Sequence, residues 1–85
     1  MDLEHIKHSI RTFIVERMLM GTTAFPGDDA SLLEHGILDS TGVLELVGFL
    51  QDTYGIKVED HEMIPDNLDS LTALAAFVRS KKEGA

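Results

Sequence analysis

The run Gly36-Ile37-Leu38-Asp39-Ser40-Thr41-Gly42-Val43-Leu44-Glu45-Leu46 holds the serine with the most chemical promise, because a loop ends there and a helical pattern begins. Nucleophilic catalysis by Ser40 would need a base within hydrogen-bond reach and a group to orient that base. The sequence supplies no GxSxG elbow and no histidine near Ser40. Taken alone, the serine reads as a helix N-cap. His5 and His8 stand three residues apart, a spacing that puts two imidazoles on one helical face, but His35 and His61 are distant and no HExxH pattern completes a site. Asp28-Asp29 and Asp66-Asn67-Leu68-Asp69 lack the 12-residue calcium loop with its central glycine and terminal glutamate. No metal site is expected. The absence of cysteine removes disulfides, thiolate metal ligands and thiol nucleophiles together.

Ser40 must be positioned by helices. Leu3, Ile6, Ile10, Phe13, Ile14 and Met18 recur at three- and four-residue spacing and predict a first helix from Leu3 to about Leu19, with Asp2 at its positive end and Met20-Gly21-Thr22-Thr23 ending it. Residues 21–39 lack sustained periodicity, and Ser31-Leu32-Leu33-Glu34 is at most one helical turn capped by Ser31. A connection of that length in a small domain calls for a reason. A second helix is predicted from Ser40 to Tyr54, stopped by Gly55, with Val43, Val47, Leu50 and Tyr54 inward and Thr41, Glu45, Gly48, Phe49 and Asp52 outward. Asp60 to Ile64 forms a short third helix before Pro65, and Asp69 or Ser70 caps a fourth running to about Lys81, with Leu71, Leu74, Ala75 and Val78 inward. Arg79, Lys81 and Lys82 complement the negative end of that helix.

The expected fold is therefore all-α, a small four-helix bundle with a long loop between helices one and two and a brief third helix. Eighty-five residues fit one domain spanning 1–85, with a radius of gyration of roughly 12 Å and too little depth for a self-sufficient enzyme. Charge is unevenly placed. Residues 28–69 carry eleven acids against Lys57 alone, whereas the stretches on either side are neutral or basic. Such a field repels nucleic acid and anionic lipid and steers basic protein surfaces. No basic leader followed by an apolar run and no membrane span is visible, so a cytoplasmic protein is expected.

Leu38-Asp39-Ser40, followed by a helix with Glu45 and Leu46 and preceded by a long loop containing Gly36, resembles the attachment site of acyl carrier proteins. The likeness extends over nearly the whole chain through length, helix order and acidity. It implies that a phosphopantetheinyl transferase joins 4′-phosphopantetheine from coenzyme A to Ser40, that Asp39 helps present the serine, and that the arm's thiol carries acyl groups as thioesters. The positive end of a helix suits the phosphodiester. It further implies docking of partner enzymes with basic patches, the loading ligase and the acyl-processing enzymes, on Thr41, Glu45, Gly48, Phe49 and Asp52, with Glu34 and Asp39 at the rim. Cargo would enter between the second and third helices, past Val47, Ile64 and Leu68. The protein would be a freestanding, monomeric, non-catalytic tether.

Thr41 and Gly48 stand where fatty-acid-synthesis carriers usually have leucine and methionine, which points to a specialised pathway. Phe49, beside them, either meets partners or packs under the third helix. Two other readings stay open: a carrier for aminoacyl or other ligase-activated acids, and an acidic helical interaction module with no prosthetic arm, in which Ser40 is only a cap.

Overall fold

The computed structural model describes residues 2–17 and 25–84. Its helices are α1 (Leu3–Arg17), α2 (Ser40–Tyr54), α3 (Pro65–Leu68) and α4 (Leu71–Gly84), with a 3₁₀ turn at Asp60–Glu62. No strand occurs among the described residues. The expected end of the first helix, Met18 to Thr23, lies outside them. The radius of gyration is 11.8 Å.

α1 runs along α4, α3 sits against the start of α4, and α2 closes the bundle. The inward stripe of α1 is Ile6, Ile10 and Ile14, each fully buried. They meet Leu71, Leu74, Ala75, Phe77 and Val78 of α4 and Leu46, Val47, Leu50 and Tyr54 of α2 in one core, which Leu32, Leu38, Val58 and Leu68 complete from the connections. That core rests on packing, at about 25 cal/mol for each Å² of apolar surface removed from water.

Local chemistry explains each boundary. Asp2 caps α1, its carboxylate accepting from the Glu4 N–H at 3.2 Å. Gly55 ends α2 in the left-handed region, φ 66°, where a side chain would be strained, and its N–H bonds the Gln51 carbonyl. Ser70 caps α4, its hydroxyl accepting from the Ala73 N–H at 3.0 Å. The short third helix departs from expectation. Asp60–Glu62 is a 3₁₀ turn, and the α-helical turn begins at Pro65, where the sequence reading ended it. Proline is tolerated in the first helical turn because the N–H it lacks has no intrahelical partner there. The basic residues near the end of α4 also work elsewhere. Lys81 pairs with Glu62 at 2.9 Å, and Lys82 donates to the Tyr54 carbonyl at the end of α2.

The long connection is fastened at several points. Asp28 takes Arg11 at 2.8 Å and Lys7 at 3.4 Å from α1, and its carbonyl accepts from Thr72 of α4. Asp69 accepts from the Ser31 hydroxyl at 2.6 Å and the Leu33 N–H at 2.8 Å. Ser31 also accepts from the Glu34 N–H, as a cap of that single turn should. Leu32, wholly buried, takes the Asp69 carbonyl on its N–H and offers its own carbonyl to Ile37 and Leu38. The loop is thus a strap that delivers Asp39 and Ser40 to a fixed place. Two of the aspartates weighed as calcium ligands, Asp28 and Asp69, are committed to this strapping.

Candidate functional site

Ser40 is the first residue of α2 and is exposed. Its helix is capped by Asp39, which has an extended backbone and whose Oδ1 accepts from the Gly42 N–H at 2.7 Å while its carbonyl accepts from the Val43 N–H. The capping role therefore falls one residue earlier than the bare sequence suggested. Both residue types cap well, and the register decides between them. With Asp39 holding Gly42 and Val43, the Ser40 hydroxyl has no hydrogen bond to another described residue. It stands at the positive end of a 15-residue helix.

The expected partner-facing residues divide by exposure. Glu34, Thr41, Glu45 and Asp52 are exposed, and Gly48 is partly so. Phe49 is half-buried, with its ring stacked on Phe13 of α1 at 4.2 Å between centroids and 17° between planes. Its packing is thus against α1 and not beneath the third helix. Its other surroundings form a shallow groove with Phe13, Arg17, Glu45, Gly48 and Asp52. Sequence reasoning passed over Leu44, which is 64% exposed on α2, one turn after Ser40. The available signal was its place three residues after Thr41 and four before Gly48, on the edge of the outward side of α2.

A small apolar cleft of about 120 Å³ opens between the strap, α2 and α3, lined by Leu33, Leu38, Val43, Met63, Ile64, Pro65, Leu68 and Asp69. Two of the three expected cleft residues, Ile64 and Leu68, are in this lining. Val47 lies in the core at 4% exposure, and Val43, one turn nearer Ser40, is the α2 residue that faces the cleft. Leu33 and Ile64 are exposed at 44% and 43%, so the rim is apolar and wet.

Two carboxylates in the scaffold are held below their ordinary range. The Arg11 guanidinium bonded to Asp28, helped by Lys7, lowers that acid against a smaller cost of burial. The Glu59 N–H, followed by Lys81, lowers Glu62. Among the described residues no group of histidines and acids could hold a metal ion. No described helix is long and apolar enough to cross a membrane.

The sequence model of the family described as "Phosphopantetheine attachment site" matches residues 11–78, a span running from the middle of α1 to near the end of α4 and including Ser40. The chain belongs to this family. Comparison with curated proteins finds no match. Membership makes the chain a carrier domain of the acyl-carrier type, and 4′-phosphopantetheine is its covalent cofactor. The all-helical bundle agrees with that assignment. The arrangement around α2 also fits such a group: an exposed hydroxyl at the helix entrance, a capping carboxylate that leaves it free, and an apolar cleft close by.

Proposed function

We propose that Ser40 is the residue that receives 4′-phosphopantetheine, and that the protein is an acyl carrier of a specialised biosynthetic pathway, acting in the cytoplasm without catalysis of its own. The observation that carries this is the division of labour at the start of α2. Asp39 supplies the cap and Ser40 is left exposed. The alternative of an arm-free interaction module gave Ser40 only a capping task, and that task belongs to Asp39.

When bound, the group supplies a flexible thiol on which cargo is held as a thioester. The chain's part is to present, hold and release. Asp39 fixes the first turn of α2 and is itself exposed, so the transferase that delivers the group can reach it. The N–H groups of Ser40 and Thr41, at the positive helix end, favour the negative phosphodiester. The strap, held by Leu32 and Asp69, keeps the attachment point from wandering. The cleft beside it supports an acyl cargo over an aminoacyl one. Its single charged member, Asp69, is already engaged by Ser31 and Leu33, so nothing there is set aside for an ammonium group. At about 120 Å³ the space is well below that of ordinary ligand pockets, which favours a short chain or one that parts α2 from α3.

Partner enzymes, in this reading, approach α2. Glu45 and Asp52 attract a basic patch, Glu34 and Asp39 flank it, and Leu44 gives the apolar contact that holds an encounter long enough to react, with Thr41 and Gly48 beside it on the same face. Rim charges set encounter rate and orientation more than affinity, which suits a carrier that must leave each enzyme. The test is incubation with coenzyme A and a broad-specificity phosphopantetheinyl transferase, followed by intact mass. One added phosphopantetheinyl group is expected on the native chain and none on Ser40→Ala. An unmodified native chain would overturn the proposal.

A further inference from the structure

We propose that the groove between α1 and α2 is an acceptor for an arginine side chain of a partner protein, with Phe49 as its floor and Glu45 and Asp52 as its walls. This rests on the reading of α2 as the docking face and narrows the partner's chemistry from basic to guanidinium-bearing.

The groove has a volume of about 370 Å³ and is lined by Phe13, Arg17, Glu45, Gly48, Phe49 and Asp52. Glu45 precedes Phe49 by four residues and Asp52 follows it by three, so both carboxylates neighbour the ring on one helical face. Neither forms an ion pair with another described residue. Gly48 leaves the approach open, since a Cβ built there meets nothing within 4 Å. The stack on Phe13 fixes the Phe49 ring from the α1 side, so the floor is in place before a partner arrives. Arg17 also lines the groove, its guanidinium 6.0 Å from the Phe13 centroid, so a partner arginine takes the Phe49 side and competes there with a resident cation.

An aromatic face between two unpaired carboxylates is a receptor for a planar cation. A guanidinium lies flat on a ring, is weakly hydrated and directs several N–H donors to acids on either side, whereas an ammonium is a compact, strongly hydrated point charge. An acidic helix without the ring would attract lysine and arginine alike. Lysine makes the same contact less well, so the ring adds a preference for arginine of up to about five-fold, the ceiling set by one solvent-exposed cation–π contact.

The experiment titrates the full-length, isotope-labelled chain with two acetylated, amidated peptides that differ only in carrying three arginines or three lysines, followed by amide and ring resonances. The arginine peptide should bind more tightly, by up to about five-fold, and move Gly48, Phe49, Asp52 and the Phe13 ring most. Gly48→Leu places a side chain in the groove from a position with open space around it, and should erase the preference while melting no lower than the native chain. Phe49→Leu should also erase the preference, with a lower melting temperature because the stack on Phe13 is lost. Equal affinities with shifts still centred on α2 would overturn the arginine acceptor and leave the docking face standing. Equal shifts spread over Asp29, Asp60 and Asp66 would overturn both. Concentration-dependent shifts at Phe13 and Phe49 without peptide would make a second copy of the chain the occupant, and would also overturn the proposal.

Discussion

Removal of the Asp69 carboxylate should loosen the strap that holds Ser40 more than it harms the helices. Asp69 accepts from the Ser31 hydroxyl at 2.6 Å and the Leu33 N–H at 2.8 Å. Hydrogen bonds to charged groups contribute about 1.5–3 kcal/mol each, and partial exposure places these two at the low end. Asp69→Ala should therefore cost about 2–3 kcal/mol, which for a domain of this size lowers the Tm by roughly 10 °C or more. Asp69→Asn should cost less, because an amide oxygen can still accept from Leu33. The Ser31→Ala, Asp69→Ala double-mutant cycle should show a coupling of about 1 kcal/mol, measured by urea unfolding at matched m-values. Amide exchange gives the local readout. Ile37 and Leu38, whose N–H groups bond the Leu32 carbonyl, should lose protection in Asp69→Ala ahead of residues in the middle of α2. A cost under about 0.5 kcal/mol for Asp69→Ala, or strictly additive single mutants, would refute the claim that this carboxylate anchors the strap.

Gly55→Ala should destabilise by about 1–2 kcal/mol in thermal or urea unfolding, because φ 66° there is costly for any side chain. Asp28 should contribute stability in a pH-dependent way. Its acid is held below the ordinary value of 3.8, so the contribution is complete above that value and is lost as pH falls through the lowered one. Asp28→Asn should accordingly cost about 0.5–1 kcal/mol near neutrality, the scale of a partly exposed pair, and lose its effect in strong acid. Gly48→Ala should raise stability by up to about 1 kcal/mol, since a helix-interior glycine is replaced where the new methyl group has room.

The parts of this protein set by local pattern could be read from the chain itself. The isoleucines of α1 gave its buried stripe, and Gly55 marked the end of α2. Periodicity also placed Leu71, Leu74 and Val78 inward on α4, where they are buried. What escaped depends on contacts between distant segments or on a shift of one residue. Asp39 and Ser40 are both good caps, and only the observed backbone gives the role to Asp39. Phe49 faces outward by helical angle alone. Phe13 of α1 meets it and converts an outward ring into half of a stack. The cleft residue on α2 is Val43 because Val47, one turn on, is taken into the core. The strap was visible as a long connection, but the pairing of Ser31 with Asp69, 38 residues apart, carried no local signature.

The central claim concerns one oxygen atom, and locating the modification tests it most directly. After treatment with coenzyme A and the transferase, proteolysis and fragment-ion mass spectrometry should place one phosphopantetheinyl group on Ser40, with Ser31, Thr41 and Thr53 unmodified. Its placement on any other residue, or its persistence in Ser40→Ala, would contradict the account.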